Sequence, residues 1–127
     1  MMQKCVRGVR GAITVAEDSA EEICRASKIL LTQMVERNGI EIDDLASVFF
    51  SLTPDLRAAF PASAAREMGW TYVPMLHLAE IPVPGALRRC IRVLMHVNTV
   101  RAAREIEHVY LEGARSLRPD LASSVRA

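Results

Sequence analysis

The sequence predicts an α+β fold, a mixed β-sheet with its helices on one face. Two observations carry that expectation. Five short apolar runs with strand-like alternation are interrupted by one long and one short helical pattern, in the order β-α-β-α-β-β-β. The length of 127 residues, 50% of them hydrophobic, is that of a single domain over 1–127 whose core needs neither disulfides nor a structural metal.

The elements follow in order. Residues 5–14 read as the first strand, with Val6, Gly8, Arg10 and Ala12 on one face. Glycine inside a strand marks the close approach of another backbone or of a ligand. Asp18 is placed to cap the next helix, with Glu21 as its capping-box partner. Ile23, Ala26, Leu30 and Met34, flanked by Leu31 and Val35, form a stripe that predicts a helix over 19–37, ended by Asn38-Gly39. Leu45 to Leu52, with Val48-Phe49-Phe50, is the second strand, and Thr53-Pro54-Asp55 breaks it. Pro61 opens a short helix through Met68, which Gly69 ends. Trp70 to Leu78 reads as a third strand, with Pro74 restricting part of it to an edge or bend. Ile81 to Gly85 is an irregular connection, and Ala86 to Val97 is a helical turn or a direct entry into a fourth strand. Asn98 to Arg104 reads as a turn. The last strand, Ile106 to Leu111, sets Ile106, His108 and Tyr110 on one face, and Arg115 to Ala127 is a tail of weak periodicity.

Bulk composition excludes several classes. The net charge of +1 gives no global attraction to nucleic acid or anionic membrane, although Arg supplies nearly all the basic residues. A mean hydropathy of +0.14 is high for a small soluble monomer and points to apolar surface hidden between subunits. Cys5, Cys24 and Cys90 lack CxxC spacing, so reduced thiols in a cytoplasmic protein are expected. No signal-peptide h-region and no run of membrane-spanning length is present.

One residue breaks the pattern. Arg92 stands in Cys90–Val97, a run that otherwise reads as a buried strand. Alternation puts it with Cys90, Leu94 and His96, away from the core face of Ile91, Val93, Met95 and Val97. A guanidinium cannot be discharged, so an interior one needs acceptors or an anionic ligand. Two readings stay open, a structural ion pair and an anion site. Arg10 and Glu80 are likewise charges that interrupt apolar strands, with Tyr110 beside them by strand position. Two arginines with one carboxylate make either a closed salt bridge or a site for a small dianion, the carboxylate reading a hydroxyl. No GxGxxG, Walker A, HExxH, GxSxG or metal-ligand spacing is present, and His77, His96 and His108 are scattered. An enzyme with this inventory works by positioning and electrostatics.

Ordered motifs then carry a resemblance. Val9-Arg10-Gly11-Ala12, Thr53-Pro54-Asp55-Leu56 with Phe60-Pro61-Ala62, Trp70-Thr71-Tyr72-Val73-Pro74, Cys90-Ile91-Arg92-Val93, His108-Val109-Tyr110-Leu111 and Leu117-Arg118-Pro119-Asp120-Leu121 cover about 6–121. In that order they resemble the monofunctional chorismate mutases of the AroH class, the Bacillus-type trimeric enzymes. The resemblance implies a trimeric pseudo-α/β-barrel with active sites between subunits. It implies rearrangement of chorismate to prephenate, in aromatic amino acid biosynthesis, without cofactor or metal.

It also implies roles. Arg10 would bind a substrate carboxylate, Glu80 the ring hydroxyl, Arg92 the ether oxygen, and Tyr110 the enolpyruvyl carboxylate. The neighbouring subunit would give Phe60 and Ala62 as apolar wall, Arg66 at the rim, and Met75 and Leu76 as strand contacts. Leu117 and Arg118, in a tail from about 112 to 127, would close over the site. Three departures stand out: His77 for a cysteine near the substrate hydroxyl, Ser63 for a rim lysine, and Leu76 for a threonine. These bear on affinity and pH profile, not on the reaction. Two alternatives stand beside this reading: an imine deaminase of the YjgF/Rid type, and a non-catalytic trimer that binds a small carboxylate as a sensor or regulatory subunit.

Overall fold

The computed structural model describes residues 3–119; Asp120, Leu121 and the rest of the tail lie outside the described residues. The elements are β1 (Cys5–Thr14), α1 (Ala20–Arg37), β2 (Leu45–Leu52), α2 (Pro61–Glu67), β3 (Met75–Ala79), β4 (Cys90–Thr99) and β5 (Val109–Leu111), in the expected order. The five strands form one sheet in the order β3-β2-β4-β1-β5. β4 pairs antiparallel with β1 and β2, while β5 joins β1 and β3 joins β2 in parallel, so the sheet is mixed.

Strand alternation sorts the sheet into two faces. Val9, Ile13, Val48, Phe50, Ile91, Val93, Met95 and Val97 pack with Ile23, Ala26, Leu30, Leu31 and Met34 of α1, and α2 adds Ala62 and Ala65. Both helices therefore cover one face; the other carries a smaller buried cluster of Ala12, Cys90, Tyr110 and Ala114, with Leu87 and Leu117 against it, and is otherwise open. Gly11 lets α1 lie close on β1: a Cβ there would run into Met34 Sδ and come within 3.1 Å of Leu30 Cδ1.

Four expectations need correction. Ser19, not Asp18, caps α1, its Oγ accepting from the Glu22 N–H at 3.1 Å. Asp18 lies one residue further out, where its Oδ1 accepts from the backbone N–H groups of Arg57 and Ala58. The third strand begins at Met75, not Trp70; residues 70–74 are irregular, and the Pro74 carbonyl accepts the Val48 N–H as the chain reaches β2. The last strand is only Val109–Leu111, because the backbone before it has other partners. Asn38 donates to the Glu107 carbonyl and accepts its N–H, at 2.9 and 2.8 Å, holding Glu107 out of the sheet. Ile106 and Tyr110 consequently join different buried clusters instead of sharing a face. The turn expected from Asn98 likewise starts later, since β4 continues through Thr99.

Entry into β4 is direct and strained. Arg89 has φ of 48°, a left-handed conformation that costs a non-glycine residue on the order of 1 kcal/mol or more. Asp55 holds it there by accepting the Arg89 N–H with both oxygens, at 3.1 and 3.0 Å. Thr53 ties the same point down, donating to Asp55 at 2.6 Å and accepting from the Cys90 N–H at 3.0 Å. The Thr53-Pro54-Asp55 break thus sets where β4 starts, and with it the face on which Arg92 emerges.

Candidate active site

Register builds the site. Directly paired residues share a face, so two rows run across the open side of the sheet. One row is Leu78, Ser51, Arg92, Ala12 and Tyr110; the next is Leu76, Phe49, Leu94 and Arg10. Arg92 is flanked by two small residues, Ser51 and Ala12, which leave space around its guanidinium. Arg10 and Arg92 are diagonal neighbours across β1 and β4. They line one cavity of about 420 Å³ together with Tyr110, Leu117, Phe49 and Leu78, a volume in the range of small-molecule sites.

Charge and orphaned polar atoms give this cavity its character. Glu80, just past β3, puts Oε1 2.8 Å from Arg92 Nε, with both side chains largely shielded. The spacing is that of an ion pair, but the Nε–H is not aimed along it. Arg92 Nε, Glu80 Oε2 and the Tyr110 hydroxyl are all buried without a hydrogen-bond partner. Buried polar atoms are nearly always satisfied, and leaving one unmet costs about 1–3 kcal/mol. Arg92 and Tyr110 line this cavity and Glu80 lines a second one that Arg92 also borders, so the unmet atoms form a socket on either hand of the Arg92 guanidinium that demands acceptors and a hydroxyl. That second cavity, of about 490 Å³, is lined by Arg92 and Glu80 together with the Ile81–Val83 loop, Leu87 and Arg88.

Cys90 lies near this pair as a buried thiol. Burial pushes its thiol up to about 11, more than the adjacent Arg92 lowers it. Asp55 behaves oppositely. Burial raises its carboxyl, but the Thr53 hydroxyl and the Arg89 N–H outweigh that and hold it below the usual range.

The remaining anticipated residues gather elsewhere. His77 points to the helix side of β3, where its Nε2 accepts the Ala62 N–H at 3.2 Å. Its ring stacks on Phe50 at 5.3 Å and tilts against Phe60 at 5.0 Å. Burial, then the Arg66 charge, pushes the His77 pKa down, so the ring is neutral and acts as an acceptor. Ser63 lies beside it on α2, its Oγ accepting from Arg66 at 3.4 Å. Phe60, Ala62, Ser63, Arg66, Met75 and His77 thus form a group at the β3 margin, apart from the Arg10–Arg92 cavity. Leu76 shares the open face with that cavity without lining it. Arg118 follows Leu117 at the end of a 3-10 segment over Glu112–Leu117.

These arrangements can be set beside known proteins. The model of the family described as chorismate mutase type I matches residues 6–121. The chain belongs to that family. It is 52% identical over 120 residues to the chorismate mutase AroH of Thermus thermophilus, covering 94% of this chain and 98% of the relative. It is 48% identical over 117 residues to the chorismate mutase AroH of Bacillus subtilis (strain 168), covering 91% and 92%. A solved chorismate mutase from Clostridium thermocellum superposes with a TM-score of 0.85 at 51% identity, covering 86% of this chain and 97% of that one. As a chorismate mutase type I member, the chain finds no support for the imine-deaminase or non-catalytic readings. The sequence reading missed Phe49, Ser51, Leu78 and Ala12 as cavity residues. They are unremarkable in composition and are found only once the strand register is known.

Proposed function

We propose that this protein converts chorismate to prephenate by a pericyclic rearrangement, with Arg92, Glu80, Arg10 and Tyr110 as its catalytic set. The observation that carries the reading is the socket of unmet polar atoms. Chorismate offers what it lacks: two carboxylates, an ether oxygen and one hydroxyl. In the rearrangement the carbon–oxygen bond breaks ahead of carbon–carbon bond formation, so negative charge grows on the ether oxygen. Arg92 donates there, and a fixed guanidinium stabilises that charge more in the transition state than in the ground state. Glu80 restrains Arg92 from one side and accepts from the ring hydroxyl through its free oxygen. Arg10 and Tyr110 take the carboxylates, holding the compact reactive conformer. The step needs no nucleophile and no titrating acid or base, in keeping with the buried Cys90 thiol. Leu117 and Arg118 cover the bound substrate.

The group at the β3 margin enters through assembly. Phe60 is 64% exposed, Leu76 54% and Leu78 50%, an apolar margin that a second copy would cover. In a trimer, Phe60, Ala62, Ser63, Arg66, Met75, Leu76 and His77 of one subunit complete the cleft of its neighbour. Light scattering on the purified chain tests this: a mass of three times 14.1 kDa is expected, and a monomer that still turns over chorismate would overturn the two-subunit site. For the reaction itself, incubation with chorismate should yield prephenate; intact binding without turnover would overturn it.

A further inference from the structure

We propose that His108 is a positioning residue that sets the backbone of Arg10, and so its grip on a substrate carboxylate, only while its imidazole is neutral. The inference rests on the reading of Arg10 as a carboxylate binder. The β1–β5 ladder begins at Gly11 opposite Val109 and runs three residues. Arg10 lies one position before it, where β5 offers no paired backbone because Glu107 is turned toward Asn38. Its N–H donates instead to His108 Nδ1, at 3.0 Å. An imidazole nitrogen thus stands in for a strand carbonyl at the residue whose side chain enters the cavity.

Only one protonation state can do this. Nδ1 must be the bare nitrogen, with the proton on Nε2. Protonation would turn Nδ1 into a donor facing the donor N–H of Arg10. It would also add a cation where two already face the ring, Arg10 from β1 and Arg118 after the 3-10 segment. Those neighbours and partial burial keep the imidazole neutral at ordinary pH, burial being the larger influence. As the medium becomes acidic the tether is lost, and the effect falls on binding, where Arg10 acts.

The test compares wild type, H108L, H108N and R10A in steady-state assays with chorismate between about pH 5 and pH 8, each variant checked by thermal melting. H108L removes the acceptor, so from pH 5 to pH 8 its KM should stay about 3–10-fold above the wild-type value at pH 8, with kcat within about twofold, the scale of one hydrogen bond. Wild type should approach the H108L value of KM toward pH 5. H108N places a non-titrating oxygen near the Nδ1 position, so it should keep a wild-type KM at pH 8 and rise less than wild type toward pH 5, the remaining rise being that of His77. A wild-type KM for H108L, with R10A raised, would overturn the positioning role alone. A pH profile of H108N identical to wild type would also overturn it, even if H108L failed to fold. A wild-type KM for R10A would overturn the reading on which the proposal rests.

Discussion

Arg92 survives in an apolar strand because its flanking residues are small and its ion partner is imperfectly aligned. Ser51 and Ala12 leave room beside it, and Glu80 restrains the guanidinium without consuming its Nε–H. A fully satisfied salt bridge would have been a structural device with nothing left to offer a ligand. The same residue-level logic makes Cys90 a protected thiol. Alkylation of the native protein at pH 8 should modify exposed Cys5 and leave Cys90 untouched until unfolding, as read by peptide mass mapping. Fast native labelling of Cys90 would contradict the raised pKa. The histidines give a pH signature. Burial depresses the pKa of both His77 and His108 below the ordinary 6.5, so the unfolded chain binds protons first as pH falls. Melting temperature should be level above about pH 6.5 and fall below it, well before the lowered carboxylates titrate. A flat profile down to pH 5 would show that neither ring couples to folding.

At the scale of elements, most of the fold was legible because local patterns agreed with the packing. The two-residue period of Cys90–Val97 separated the core face from the Arg92 face, and the stripe from Ile23 to Met34 placed the main helix. What failed was decided at long range. Asn38 captures Glu107 from 69 residues away and shortens the last strand, which no local period reveals. Ser19 outcompetes Asp18 as cap because the loop at Arg57 and Ala58 claims the Asp18 carboxylate. Gly11 was readable as a close approach, though not toward which neighbour. Gly11→Ala should cost about 1–3 kcal/mol through overpacking against Met34, lowering the melting temperature by several degrees. An unchanged or higher melting temperature would show that α1 shifts freely.

For the whole molecule, Arg10 and Arg92 were nameable from the sequence because charge inside an apolar strand is conspicuous, and Glu80 and Tyr110 because they stand beside such strands in the ordered motifs. Their apolar companions were not, since Phe49, Ser51 and Leu78 look like ordinary strand residues until register aligns them with Arg92. The second group, from Phe60 to His77, belongs to the same account only through assembly, and its exposed apolar margin is the physical reason to expect one. The central claim is that a fixed guanidinium at Arg92 stabilises charge developing during rearrangement of chorismate. The most direct test is the kcat for prephenate formation by wild type and by Arg92→Lys, both verified as folded. An ammonium keeps the charge but loses the planar donor geometry, so kcat should fall about 10²–10³-fold, the scale of losing one oxyanion donor. A lysine variant turning over within about twofold of wild type would contradict the account and return Arg92 to a structural role.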